Sequence, residues 1–123
     1  MNIKKVGDNT EQNCLDLLQS KGYWCHLFSY NKNGQPCDIV AIKKNEAYLI
    51  DVKHCDGDRF AFSRIEPNQR NCFEYNLTLG NGNLGFMIYY EKYGKFNYVS
   101  YTYIKSLELG GEKSIKFNER WVL

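Results

Sequence analysis

The sequence contains no long hydrophobic run and no recognisable export signal. No apolar stretch approaches the ~18–20 residues that a membrane-spanning helix needs. The first twelve residues lack the apolar middle segment of a secretory signal peptide, so we expect a protein that is not secreted. These two absences favour a cytoplasmic protein without a membrane partner.

The five cysteines include no C-x-x-C pair. An odd number with this spacing fits neither a disulfide framework nor a zinc site, so we expect reduced thiols in a reducing compartment. A P-loop, a dinucleotide-binding fingerprint and a nucleophile elbow are also absent from the sequence. The net charge is only +2, which is too small by itself to indicate nucleic-acid binding.

What is present is an ordinary globular composition with an alternation of helical and strand patterns. Hydrophobic residues make up 43% and charged residues 24% of the 123 residues, which predicts one domain over residues 1–123. The predicted order is α-β-β-β-α-β-β, an α/β or α+β fold with a central mixed sheet flanked by helices. The predicted elements are a helix from Asp8 to Gly22, strands at 23–30, 37–43 and 47–54, a helix from near Ser63 to before Gly80, and strands at 85–91 and 96–103. No element is predicted over residues 105–123.

Capping-box spacing predicts where the two helices begin. Asp8 and Glu11 have this spacing ahead of the first helix, and Ser63 and Glu66 have it ahead of the second. Pro67 then falls in the first turn of the second helix, a position that proline favours.

The informative segment is a hairpin formed by strands 37–43 and 47–54. A two-residue turn at Lys44-Asn45 would place Asp38 directly opposite Asp51, with Cβ atoms ~4.5–5.5 Å apart. Strand alternation puts Lys53 on the same face as Asp51. Two facing carboxylates repel each other, so this register makes physical sense when a cation lies between them. A three-residue turn would move Asp38 out of line.

Two carboxylates and an amine are the groups that phosphodiester hydrolysis requires. Carboxylate oxygens suit Mg²⁺, which accepts one or two carboxylates together with water and phosphate oxygens. A nearby lysine orients the attacking water and offsets negative charge in the transition state. The competing interpretation is an ordinary half-exposed strand, since Asp-x-Lys is a common tripeptide.

These residues resemble the signature of PD-(D/E)XK nucleases. The resemblance rests on Glu11 in an opening helix, Pro36-Cys37-Asp38 entering one strand and Asp51-Val52-Lys53 in the next. Within that superfamily, residues 7–105 are similar to RecU-type Holliday junction resolvases. The features shared with that subgroup are Phe60-Ala61-Phe62, the segment Arg64-Ile65-Glu66-Pro67-Asn68-Gln69 and the strand Gly85-Phe86-Met87-Ile88-Tyr89-Tyr90. The VRR-NUC group, with a similar Gln-bearing helix, is the second choice.

The resemblance implies a restriction-endonuclease-like core and a divalent-metal endonuclease acting on branched DNA, with Mg²⁺ as the cofactor and Mn²⁺ as a substitute. Asp38, Asp51 and the Val52 carbonyl would hold the metal, and Lys53 would act on the attacking water. Glu11 would reach the site from the first helix through a water or a second metal, and Gln69 would orient Lys53 or a phosphate. The chain departs from the pattern in having Pro-Cys-Asp and no room for a long central stalk.

Basic residues near the motif are candidate DNA contacts. If Glu11, Asp38 and Asp51 serve a metal, 16 Lys and Arg residues remain against 11 Asp and Glu residues. Arg59, Arg64 and Arg70 lie between the site strand and the second helix, where they would contact the phosphate backbone. The competing interpretation is a solvated helix face.

Two other functions remain open beside junction cleavage, for which a homodimer making two symmetric nicks is expected. One is a restriction-like or repair nuclease, of VRR-NUC type, acting on other duplex or flap DNA. The other is a non-catalytic DNA-binding module with a nuclease fold. A binding module would have no need of facing carboxylates, which favours an enzyme.

Overall fold

The chain folds around a mixed β-sheet with helices on both faces, which confirms the predicted fold class. This structure, a computed structural model, describes residues 3–28 and 35–123, with side chains from residue 9 onward. Short 3-10 turns occur at Phe62–Arg64 and Glu119–Trp121. The helices and strands are α1 (Ile3–Ser20), β1 (Trp24–Leu27), β2 (Ile39–Lys43), β3 (Glu46–Cys55), β4 (Arg59–Ala61), α2 (Pro67–Thr78), β5 (Leu84–Tyr90), β6 (Lys95–Ser100), α3 (Tyr101–Leu109) and β7 (Ser114–Lys116).

The main sheet has the strand order β1-β2-β3-β5-β6, and β4 pairs with β7 in a separate two-stranded ribbon. Strands β3 and β5 run parallel, and all the other paired strands run antiparallel. A parallel pair needs a crossover connection, which α2 supplies between β3 and β5. No helix within the described residues has the length and hydrophobicity that a bilayer crossing requires.

Alternation along β3 separates two hydrophobic clusters, one on each face of the sheet. On the first face Ile50 and Val52 pack with Cys14 and Leu18 of α1. The second face carries Phe86 and Ile88, which pack with Phe73 of α2 and Ile104 of α3. Asp51 and Lys53 are in register with Phe86 and Ile88, so they belong to the face that α2 covers.

The first helix begins earlier than predicted. It starts at Ile3, so Asp8 lies within the helix and not at its N-terminus. The i, i+3 spacing of Asp8 and Glu11 is also that of two neighbours on one helix face, so it does not by itself mark a start. The side chain of Asp8 lies outside the described residues.

The second helix begins later than predicted, at Pro67. Ser63 lies in a 3-10 turn, and Glu66 is the N-cap with an extended backbone (φ −79°, ψ 151°). The reason is Pro67, because proline pushes the residue before it into an extended conformation and favours the first helical position. The capping box is therefore formed by Glu66 and Gln69.

The predicted strand 96–103 is wrong in its last three residues. Strand β6 ends at Ser100, and α3 begins at Tyr101, because the Ser100 hydroxyl caps the helix by accepting the Tyr103 N–H at 3.2 Å. Strand propensity of the aromatic residues misled the prediction here. The predicted strand 23–30 is observed as β1, and its residues 29 and 30 lie outside the described residues.

Candidate active site

The β2–β3 hairpin has the two-residue turn that the sequence predicts, and it brings Asp38 near Asp51. Lys43 pairs with Glu46 across a two-residue turn, and the register runs to Ile39 opposite Ile50. Lys44 and Asn45 both have positive φ (52° and 67°), as a type I′ hairpin turn requires. The regular pairing ends there, because the Asp38 N–H donates to the carbonyl of Ile50, the residue already paired with Ile39, at 3.0 Å. Asp38 is therefore not paired directly with Asp51, but the two carboxyl groups lie close enough to interact.

The carboxylate of Asp38 is held at both oxygens. It is 6% exposed, and Oδ2 accepts the backbone N–H of Val52 at 2.7 Å. Its other oxygen, Oδ1, accepts a hydrogen bond from Gln35 Nε2 at 2.8 Å. Two donors on opposite oxygens fix the plane of the carboxylate, and neither donor carries a charge that would neutralise it.

Asp51 is more deeply buried and less completely satisfied. It is 1% exposed, and its Oδ1 accepts a hydrogen bond from Gln69 Nε2 at 2.9 Å. Its Oδ2 makes no well-directed hydrogen bond with any described residue, although Lys53 Nζ lies 3.0 Å away. Burial and then the negative charge of Asp38 raise the pKa of Asp51 well above its ordinary value, and Lys53 lowers it.

Gln69 links the start of α2 to the site. Its Oε1 accepts the Lys53 ammonium at 3.1 Å and also accepts the Glu66 N–H at 3.0 Å, while its Nε2 donates to Asp51. The same side chain therefore caps the helix and holds two charged groups. Pro67, by fixing where α2 begins, places Gln69 over β3.

Glu11 lies on the other side of the sheet, on α1, one turn before Cys14. Burial is the largest cause that raises the pKa of the Cys14 thiol, and Cys25, Asp38 and Glu11 raise it further. The carboxylates of Asp38 and Glu11 are therefore both within electrostatic reach of that thiol. Among residues 3–28 and 35–123, however, no group of three or more His, Cys, Asp or Glu side chains is arranged to hold a metal. The structure brings Asp38 and Asp51 together, and Glu11 does not complete a three-carboxylate group with them.

The three predicted DNA-contacting arginines have different surroundings. Arg59 is exposed on β4, 3.4 Å from the Ser114 hydroxyl. Arg64 is also exposed, and its guanidinium donates to the His54 carbonyl at 2.7 Å. Arg70 forms a bidentate ion pair with Glu108 at 2.9 and 3.0 Å, so its charge already has a partner.

Sequence reasoning missed two residues that contribute to the site. Gln35 contacts Asp38, and Asn68 Nδ2 donates to the Gln35 carbonyl at 3.1 Å. Gln35 lies in a segment without periodicity, and its contact with Asn68 joins residues 33 positions apart. The available signal was the adjacency of Asn68 and Gln69 in the first turn of the helix.

Comparison with known proteins agrees with this geometry. The sequence matches the nuclease-related domain family over residues 6–94. The fold is similar to Hjc, a Holliday junction resolvase from the archaeal hyperthermophile Archaeoglobus fulgidus, with a TM-score of 0.66 and 18% sequence identity. The similarity covers 93% of this chain and 89% of that one. No curated protein matches the sequence.

The family match includes most of the first helix, both aspartates, Lys53 and Gln69, and extends through β5. The structural likeness shows a shared fold, and it confirms the restriction-endonuclease-like core implied by the PD-(D/E)XK resemblance. The expected class of enzyme, a nuclease, is confirmed at the level of the family. This chain belongs to the nuclease-related domain family.

Proposed function

We propose that this chain is a Mg²⁺-dependent endonuclease that hydrolyses phosphodiester bonds of branched DNA. The observation that carries the proposal is the pair of buried, facing carboxylates of Asp38 and Asp51 beside the ammonium of Lys53. Like charges in such positions destabilise a fold, which makes a function for them the better explanation. The same three groups suit the chemistry expected of a nuclease.

The residues present fit a divalent cation. Asp51 Oδ2 is buried without a well-directed hydrogen bond, and Asp38 faces it with both oxygens held by neutral donors. The Val52 carbonyl projects from the same side of β3 as its N–H, toward Asp38, so it is the third candidate ligand. Two carboxylates and a carbonyl are hard oxygen donors of the kind that Mg²⁺ prefers, with Mn²⁺ as a substitute.

Hydrolysis joins a water oxygen to phosphorus and breaks the bond to the leaving oxygen, while a proton leaves the water and the leaving oxygen gains one. When bound, a divalent cation supplies Lewis-acid polarisation of the phosphate and acidification of the attacking water. Lys53 Nζ, held by Gln69 Oε1, orients that water and offsets negative charge on the phosphate oxygens. Gln69 keeps Asp51 and Lys53 in fixed relation. Glu11, on the α1 side of the sheet, would act indirectly, through a water or a second cation.

Branched DNA is the proposed substrate because the fold is shared with a Holliday junction resolvase over most of both chains. A four-way junction has two-fold symmetry and requires two nicks, so the working form is a homodimer.

Two basic residues on the β4–β7 ribbon are the best candidates for phosphate contacts. Arg59 is directly opposite Lys116 in the register, and both side chains are exposed. Facing positive charges are unfavourable for the ribbon alone and favourable beside an anion. Arg64 follows in the adjoining turn, whereas the ion pair of Arg70 with Glu108 makes it the weakest of the predicted contacts.

The test is cleavage of a labelled four-way junction in Mg²⁺ and in EDTA, with wild type beside Asp51→Asn. Asp16→Asn is the matched control, since Asp16 is an exposed aspartate that accepts a glutamine amide outside the site. We expect paired symmetric nicks that require both Mg²⁺ and Asp51. Equal nicking of linear duplex or flap DNA would contradict a preference for junctions and would indicate a repair-type nuclease. Binding without cleavage in Mg²⁺ or Mn²⁺ would leave a DNA-binding module.

A further inference from the structure

Neutral hydrogen-bond donors surround the two carboxylates of the site. Gln35 Nε2 and the Val52 N–H donate to Asp38, and Gln69 Nε2 donates to Asp51. Lys53 is the cation that pairs with Asp51, so two carboxylates in their ionised form outnumber the one ammonium. An arginine or lysine in place of Gln35 would cancel that charge, whereas an amide orients the carboxylate and leaves its charge available to a cation.

Gln35 is itself anchored from α2. Asn68 Nδ2 donates to the Gln35 backbone carbonyl at 3.1 Å. Asn68 is the second residue of α2, and Gln69, its neighbour, donates to Asp51. Adjacent residues in one helical turn therefore reach both carboxylates, Asp51 directly and Asp38 through Gln35.

We propose that Gln35 is a positioning residue for Asp38 and that Asn68 holds Gln35 in place, so that the first turn of α2 sets the separation and orientation of both metal-binding carboxylates. This inference rests on the proposed function, because it requires Asp38 to be a metal ligand. Each carboxylate oxygen has two lone pairs, so Asp38 Oδ1 can accept the Gln35 amide and still face a cation. Donors that orient a ligating carboxylate typically change metal affinity by 10–100-fold.

The experiment measures Mn²⁺ affinity by calorimetry for wild type, Gln35→Met, Asn68→Ala and the double variant. Gln12→Met is the matched control, since Gln12 Nε2 donates to Asp16 Oδ1 on the exposed side of α1. We expect Gln35→Met to bind Mn²⁺ about 10-fold more weakly than wild type, and Gln12→Met to bind it as wild type does. Asn68→Ala should weaken binding in the same direction and should add nothing in the Gln35→Met background, because its effect passes through Gln35.

A second readout separates positioning from general loss of structure. The Mg²⁺ concentration that gives half-maximal cleavage should rise in Gln35→Met, and cleavage should recover at saturating Mg²⁺. The melting temperature of the metal-free variant should remain close to that of wild type, and Asn68→Ala provides an independent measurement if Gln35→Met does not fold. Wild-type Mn²⁺ affinity in Gln35→Met would overturn the positioning role alone. Failure of wild type to bind Mn²⁺ would overturn the proposed metal site together with it.

Discussion

Asp51 and Lys53 form an ion pair with side chains only 2% and 11% exposed, Oδ2 to Nζ at 3.0 Å. A single buried pair of this kind would be balanced in charge. Here Asp38 adds a second carboxylate, and burial together with the Asp38 charge raises the pKa of Asp51. The ionised, metal-free site is therefore electrostatically unfavourable, and the next two predictions measure that cost.

Asp51→Asn should increase the stability of the metal-free protein. Because the pKa of Asp51 is raised in the folded state, the ionised carboxylate reduces stability at neutral and higher pH, and protonation removes this penalty as the pH falls. We expect the free energy of unfolding of Asp51→Asn in EDTA at pH 8 to exceed that of wild type by about 1 kcal/mol. The difference should shrink at lower pH, where wild-type Asp51 takes up a proton.

Urea unfolding at pH 8 and at lower pH, with and without Mg²⁺, checks this prediction. Mg²⁺ should stabilise wild type and leave Asp51→Asn unchanged, since binding to the folded state alone raises its stability. A less stable Asp51→Asn at pH 8 would show that the hydrogen bond and ion pair of Asp51 outweigh its repulsion from Asp38.

Lys53→Met should lower both stability and activity. Removing the ammonium leaves two buried carboxylates without a cation, and breaking a buried pair typically costs about 3–5 kcal/mol. The loss of stability should be largest in EDTA. It should be smaller in Mg²⁺ or at low pH, where another positive charge or a proton takes the place of the ammonium. Cleavage at saturating Mg²⁺ should fall by at least about 100-fold.

Lys105→Met is the control for this change. Lys105 forms an exposed ion pair with Glu74, of a kind worth roughly 0–1 kcal/mol. Thermal unfolding and cleavage rates of both variants should separate them clearly. Equal effects in the two variants would contradict a special role for Lys53.

Gln69→Ala should cost about 1 kcal/mol of stability, the usual value of a helix cap, and should also abolish most of the cleavage. It removes the acceptor of the Glu66 N–H together with the contacts to Lys53 and Asp51. Ser100→Ala is matched to it, because the Ser100 hydroxyl caps α3 by accepting the Tyr103 N–H. The two variants should unfold at similar urea concentrations, and Ser100→Ala should retain cleavage. A similar loss of cleavage in both variants would show that Gln69 acts only as a helix cap.

Arg59→Gln and Lys116→Gln should each weaken DNA binding and reduce its salt dependence. A side chain that neutralises one phosphate contributes about one unit to the slope of log K against log salt concentration. Fluorescence anisotropy with a labelled junction at several salt concentrations measures that slope, and Lys105→Gln provides a comparison on α3. Unchanged slopes for both variants would place the DNA away from the β4–β7 ribbon.

The hairpin register was the part of the site that sequence determined best. Alternating apolar residues and a two-residue turn leave one pairing that buries Ile39 and Ile50 on the same face, and this pairing brings Asp38 close to Asp51. The sequence did not predict the irregular backbone at Asp38, whose N–H donates to the Ile50 carbonyl. The proximity of Lys53 follows from the same alternation. Gln69 came from family resemblance, since nothing in its spacing relates it to β3.

The remaining features depend on tertiary contacts that have no periodic signature. Gln35 meets Asn68 because the segment before β2 packs against the start of α2, and neither residue has a pattern that predicts this. The segment Tyr101–Leu109 has aromatic and β-branched residues at its start, yet the Ser100 cap and the burial of Tyr101 and Ile104 make it helical. Local propensity was outweighed by packing.

The site depends on the length of the Lys44-Asn45 turn. The turn contributes no group to the chemistry, yet its length sets the pairing of β2 with β3 that brings Asp38 close to Asp51. A single residue inserted between Lys44 and Asn45 that shifted the pairing by one position would leave every side chain of the site in the sequence and would move Asp38 away from Asp51. In this hairpin, the number of residues in the turn is therefore as much a requirement of the reaction as the identity of the residues in the site.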